Sequence, residues 1–400
     1  MATSRGGAFV VFILIVLCSL PVQPLQACAT KKRLVPAMFV FGDSLVDVGN
    51  NNHLPSVNNS CKANYPPYGV DYPGHSPTGR FSNGHNLADQ LAQQLGFDES
   101  PPPFLSLKNA MARRFSRLTS TGGINFASGG SGLLNTTGGS KVCGGQVVSM
   151  AEQVGNFKSL VRTWASKKPK RKHRAAAVAD LISNSLVFIS VGSNDLFEYS
   201  DLLADPNHDP NVTRNDAAFL QGLVHLYAAY VKDLYAAGAT KFSVVSPSLI
   251  GCCPSQRKIA KESNDTDVSG CFSTANSLSM QLFPMMDSML QNLSENELPG
   301  MKYSLGDAIG MARYILGQTP PNSNFTTTDR PCCGSKDYGD TGCNTSVPLC
   351  GYRKSFFFWD RYHPTEAASA ITATELFSGN ETYVHPVNVQ QLVASAASRP

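Results

Sequence analysis

Beyond one stretch near its start, the sequence has no apolar run long enough to cross a bilayer, so a mature chain without a transmembrane segment is expected. Charge is scarce: charged residues make up 16% of the chain and the net charge is +4, too small to argue for nucleic acid as a partner. There is no internal repeat and no linker-like shift in composition, which points away from an array of modules and towards one domain. C-x-x-C pairs are also missing from the cluster Cys332, Cys333, Cys343 and Cys350, so that cluster reads as disulfides before it reads as zinc ligands. No cofactor and no metal are expected. What is present is 42% hydrophobic residues in 400, enough for a sizeable core.

The exception in hydropathy is residues 1–29. Arg5 is the only charge there, Ala8 to Leu20 is apolar except for Ser19, and Ala27-Cys28-Ala29 offers a small-x-small cleavage site. The run is short for a membrane span and has the form of a secretory signal peptide. Export makes disulfides the expected state of Cys61, Cys143, Cys252, Cys253, Cys271, Cys332, Cys333, Cys343 and Cys350. That number is odd, so one thiol stays free unless cleavage falls earlier and keeps Cys28. Sequons stand at Asn58, Asn135, Asn211, Asn264, Asn292, Asn324, Asn344 and Asn380, and several are expected to carry glycan on the surface.

The elements alternate. Ala37–Phe41 reads as a buried strand that ends at Gly42, and a polar loop follows over 50–80. Asn86–Leu95 has helical spacing and stops at Gly96. Gly123–Ala127 reads as a strand, with a glycine-rich turn after it, and 146–166 as a helix. The basic run 167–174 is expected to be a solvated loop. Ser185–Val191 and Lys241–Val245 are strands separated by the helix Asp216–Ala237. A helix over 273–296 is expected to kink at Pro284. Tyr303–Leu305 reads as a strand and Asp307–Leu316 as a helix. Residues 318–356 read as loop, and Thr365–Phe377 as the last helix. This alternation predicts an α/β fold with a central parallel sheet covered on both faces. Right-handed crossovers then gather Ser44, the Gly129–Gly130 turn and Asn194 along one sheet edge.

Ser44 needs a base, and the base needs an orienting group. Asp360 and His363, three residues apart, can share one side of a helical turn, where the carboxylate would hold the imidazole. Backbone N–H groups at Ser44 and in the Gly129–Gly130 turn, with the Asn194 amide, can meet a developing oxyanion. No G-x-S-x-G elbow surrounds Ser44.

Four blocks occur in order: Phe41-Gly42-Asp43-Ser44-Leu45, Gly123-Ile124-Asn125-Phe126-Ala127-Ser128-Gly129-Gly130, Val191-Gly192-Ser193-Asn194-Asp195 and Asp360-Arg361-Tyr362-His363-Pro364. Together they resemble the plant GDSL esterase/lipase family of the SGNH hydrolases. The segments Gly251-Cys252-Cys253-Pro254 and Pro331-Cys332-Cys333-Gly334 resemble the plant branch too.

The resemblance implies a flavodoxin-like three-layer α/β/α fold over residues 30–400. It implies Ser44 as nucleophile, His363 as base and then acid, and Asp360 as orienter. The oxyanion would be met by Ser44, by Gly129 or Gly130, and by Asn194. The expected partner is an ester substrate, from lipid, cuticle, wall polysaccharide or phenolic esters, handled by a secreted monomer. Acyl transfer to an alcohol by the same residues is the alternative activity, and a non-catalytic wall glycoprotein a further one.

Overall fold

The computed structural model describes residues 1–3, 32–107, 115–166, 171–207, 213–317, 325–335 and 337–395. The signal-peptide reading falls almost wholly on residues 4–31, outside the described residues, as do Asn211 and Asn324.

Five apolar-rich segments become parallel strands: β1 (Met38–Gly42), β2 (Gly123–Asn125), β3 (Leu186–Ser190), β4 (Lys241–Val245) and β5 (Lys302–Gly306). Every residue of β1, β3 and β4 is buried, as expected for strands covered on both faces. Later in the chain come β6 (Thr327–Pro331), β7 (Phe356–Phe358) and β8 (Val384–His385). The main sheet has the order β2-β1-β3-β4-β5-β8, and only β8 is antiparallel to its neighbour. The strand order reverses at β1, which places a crevice beyond its carboxyl end.

Alternation along the strands divides the core. Phe39, Phe41, Val187, Ile189, Phe242 and Val244 face one way, onto the helices Met150–Ser166, Arg171–Asn184, Asp216–Ala236 and Ser273–Asn292. Met38, Val40, Leu186 and Phe188 face the other way, onto the helices Leu87–Gln94, Ala308–Ile315, Glu366–Ser378 and Val389–Ala394. The result is a three-layer α/β/α arrangement.

Several expectations change. The basic run is not all loop: Arg171 opens the helix Arg171–Asn184, and residues 167–170 lie outside the described residues. Residues 318–356 are not all loop either, because Thr327–Pro331 pairs in parallel with Phe356–Phe358 as a separate two-stranded sheet. That strand (Thr-Thr-Asp-Arg-Pro) is largely polar and only Pro331 is buried, so it carries no apolar alternation to read. The helix expected over 146–166 starts at Met150, and β2 ends at Asn125. The helix Ser273–Asn292 runs through Pro284 and passes into a π turn over Leu293–Glu297.

Among the described residues the cysteines pair as Cys61–Cys143, Cys252–Cys271, Cys332–Cys350 and Cys333–Cys343, leaving Cys253 as a buried thiol. The second cluster thus forms two bridges. Among the described residues no helix is long and apolar enough to cross a membrane.

Candidate active site

The nucleophile candidate is placed by the end of β1. Gly42 has φ +146, and a Cβ there would sit 2.0 Å from the Ser190 carbonyl oxygen of β3. Only glycine allows the chain to turn so close to its neighbour. The buried Gln153 side chain receives the Gly42 N–H at 2.9 Å and donates to its carbonyl at 2.8 Å. Beyond it, Val46 and Asp47 donate back to the Asp43 carbonyl, which closes a tight turn with Ser44 half-exposed.

The base comes from the far end of the chain. Residues 360–363 form no helix, which corrects the helical-turn expectation. Asp360 Oδ1 instead accepts the backbone N–H of Tyr362 at 2.9 Å and of His363 at 2.8 Å. This Asx-type turn is a geometry that aspartate supplies readily. Trp359 N–H donates to the His363 carbonyl, and Phe358 bridges to Pro364, so the loop is pinched at its base. Thr365 then caps the helix Glu366–Ser378.

The two ends meet. His363 Nε2 lies 2.7 Å from Ser44 Oγ. His363 Nδ1 lies 2.8 Å from each oxygen of Asp360. With Nδ1–H donated to the carboxylate, Nε2 is left to accept from the hydroxyl. Burial pulls the Asp360 carboxyl upward, but the His363 ring and the two backbone N–H groups outweigh it and hold it below the usual range.

The glycine turn and Asn194 arrive at the same edge. Gly129 is buried and its N–H is taken by Asp47 Oδ2 at 3.0 Å. Gly130 is partly exposed and lines the cavity beside Ser44 and Asn194. Asn194 donates one amide hydrogen to the Ser131 carbonyl at 2.9 Å, which fixes its head group and leaves the second hydrogen for another acceptor.

Sequence reasoning missed the residues that hold these groups. Asp47 ties the nucleophile turn to Gly129, and Asp195 accepts the N–H groups of Leu133 and Leu134 and the Thr137 hydroxyl. Burial pushes both carboxyls up to about 6, against those same hydrogen bonds. Asp43, next to the nucleophile, is pushed further, to about 7. Burial is the chief cause, and its Oδ2 has no hydrogen-bond partner among the described residues. Asp43 and Asp195 belong to quoted blocks, but no local pattern marks what they would bond.

The cavity at this edge holds about 380 Å³. Leu249, Ile250, Ala308, Met311, Ala312, Ile315, Leu316, Phe357 and Phe358 make much of its wall apolar, with Glu198, Asp201 and Arg361 as charged side chains. No group of three or more potential metal-ligating side chains occurs among the described residues.

Of the sequons, Asn58, Asn135, Asn264, Asn292 and Asn380 are exposed and Asn344 is half-exposed.

Comparison with known proteins gives the family. The family model described as GDSL-like lipase/acylhydrolase matches residues 38–376. A GDSL esterase/lipase of Arabidopsis thaliana is 36% identical over 377 residues, 94% of this chain and 90% of the relative. A second from the same plant is 33% identical over 373 residues, 93% of each chain. A third is 32% identical over 389 residues, 95% of this chain and 98% of the relative. The chain therefore belongs to the GDSL-like lipase/acylhydrolase family, and it is a serine hydrolase of ester bonds.

Proposed function

We propose that this chain is a secreted carboxylesterase whose Ser44 carries the acyl group between two half-reactions. In the first, Ser44 Oγ attacks the ester carbonyl carbon and its proton passes to His363 Nε2. The carbonyl oxygen becomes an oxyanion, met by the N–H groups of Ser44 and Gly130 and by the Asn194 amide. Collapse breaks the bond to the alcohol, which leaves with the proton from Nε2. Water then repeats the sequence on the acyl-enzyme and releases the acid. Asp360 orients the imidazole and stabilises its charged form.

The observation that carries this reading is the continuous path from Ser44 Oγ to His363 Nε2 at 2.7 Å and from Nδ1 to Asp360 at 2.8 Å. Gly130 is chosen over Gly129 because the Gly129 N–H is already bonded to Asp47. The apolar wall favours an aliphatic acyl group. Four disulfides, exposed sequons and the form of residues 1–29 support export, with residues 30–400 working as one domain.

Ser44→Ala tests the reading. Release of p-nitrophenol from a p-nitrophenyl ester should fall by about a thousandfold or more. Full activity in that variant would falsify the role of Ser44.

A further inference from the structure

The carboxylate of Asp360 has a partner that no motif contains. Tyr68, in the loop after the nucleophile turn, donates its hydroxyl to Asp360 Oδ2 at 2.8 Å. The two residues are 292 positions apart, and both are buried, Tyr68 with 7% and Asp360 with 4% of its surface exposed. Oδ1 already takes two backbone N–H groups besides the imidazole, whereas Oδ2 takes only the imidazole and this phenol. The phenol therefore decides where the second oxygen points. Without it, Oδ2 is left with the imidazole as its one partner and shares the Nδ1 proton less squarely.

The phenol is itself fixed. Its ring lies 6.2 Å from the ring of Phe81 and 6.3 Å from that of Trp359, both edge to face. Phe81 in turn lies 4.9 Å from the imidazole of His363. One stretch of chain thus touches both members of the dyad, the carboxylate through Tyr68 and the imidazole through Phe81. That stretch is anchored on its own account. The Gly69 N–H donates to the Ser82 carbonyl, Arg80 forms a buried two-bond pair with Asp89, and Asp71 pairs with Arg353. Burial and the facing Asp360 carboxylate keep the Tyr68 phenol protonated well beyond its ordinary range, so it remains a donor at any working pH.

We propose that Tyr68 is a positioning residue for ester cleavage, acting through Asp360 to hold the His363 imidazole in line with Ser44. The proposal rests on the roles given above to Ser44, His363 and Asp360. It makes the loop over 50–80 a part of the machinery and not only a wall of the cavity.

Tyr68→Phe removes one oxygen and keeps both ring contacts. The glycosylated full-length enzyme is assayed for kcat and KM on p-nitrophenyl butyrate. The downfield proton resonance of the His363 Nδ1–H is recorded on the same samples. A drop in kcat of about tenfold is expected, with KM changed less than about twofold, since a hydrogen bond to a charged group is lost and no substrate contact is. The downfield resonance should move. Tyr72→Phe is the control: its hydroxyl lies in the same stretch but donates to Glu99 and not to Asp360, and its kcat should stay at the wild-type level. Turnover by Tyr68→Phe within about twofold of wild type would overturn the proposal, as would an equal loss in Tyr72→Phe. Should Tyr68→Phe unfold, 3-fluorotyrosine at position 68 takes its place. Its phenol is the stronger donor, and a downfield resonance that ignores fluorination would also overturn the proposal. Fluorophosphonate labelling of the wild type runs in parallel. An unlabelled Ser44 sinks the reading of the site itself, while a labelled Ser44 with undiminished Tyr68→Phe sinks only Tyr68.

Discussion

Two regions meet at the cavity, and they are built by different physics. The sheet edge supplies Ser44, Gly130 and Asn194 from the ends of β1, β2 and β3. There the backbone is held by parallel pairing and buried apolar faces. The other region supplies Asp360 and His363 from a pinched loop beside the short sheet of β6 and β7. It is held by two disulfides, by the aromatic cluster around Trp359 and Phe81, and by polar bonds to the 62–83 stretch. A regular sheet can fix a nucleophile by register alone. A loop that must present a base needs cross-links and buried polar partners, each drawn from a distant part of the chain.

Two buried carboxyls, one beside the nucleophile and one beside the base, show the same contrast. Asp43, on the sheet side, has one oxygen without a partner, and burial pushes it up to about 7. Asp360, on the loop side, is as buried, yet the imidazole and its donors hold it below the usual range. Burial raises both, and at Asp360 the His363 charge and the hydrogen bonds reverse the sign.

The sharpest test of this division compares a bridge on the sheet side with one in the loop region. Cys61–Cys143 closes the longest loop, its partners 82 positions apart, and ties the stretch after the nucleophile to the segment behind the glycine turn. Cys333–Cys343 closes only 10. Loop-closure entropy gives about 4–5 kcal/mol for removing the first bridge and about 3 kcal/mol for the second. Denaturant unfolding of Cys61→Ser with Cys143→Ser, against Cys333→Ser with Cys343→Ser, checks the order. Equal costs would mean that loop length does not control what these bridges contribute.

The next largest effect is expected at Arg80. Its guanidinium bonds Asp89 at 2.6 and 2.8 Å, and Asp89 is fully buried. Arg80→Met should cost about 3 kcal/mol, because it strands a buried carboxylate. Esterase activity should fall with it more than after a sheet-side change of equal cost, since the same stretch carries Tyr68 and Phe81. Activity that tracks stability alone would remove the distinction between the regions.

The smallest effect is in pH dependence. The native Asp43 carboxyl binds its proton more tightly than the unfolded one. Its contribution to stability is therefore full below its ordinary value of 3.8 and is lost as pH rises through about 7. Asp360 runs the other way, since its lowered native value gives stability that is lost only as pH falls through it. Asp43→Asn should narrow the drop in Tm between about pH 5 and about pH 8 by about 2–4 °C. An unchanged drop, read by calorimetry, would mean that Asp43 stays ionised in the native enzyme.

Much of the sheet side was legible beforehand, because strand burial and glycine turns are written in local residue order. β1, β3, β4 and β5 lie where the apolar runs place them, and Ser44 follows directly. The loop side was legible only as an Asp-x-x-His spacing, and even that suggested a helical turn where an Asx-type turn forms. β6 stayed hidden because its residues are polar and mostly exposed, and β8 because two residues carry no period.

The sequence by itself determined the principal strands of the main sheet, the turn that exposes Ser44, and the kind of side chain able to activate it. Periodicity, glycine and the chemistry of hydroxyl, imidazole and carboxylate are properties of neighbouring residues. Tertiary structure alone decided that Gly130 and not Gly129 faces the cavity, which cysteines pair, and that Tyr68 and Gln153 brace the site. Those outcomes depend on which distant donor reaches a buried acceptor first, and only the packed chain sets that distance.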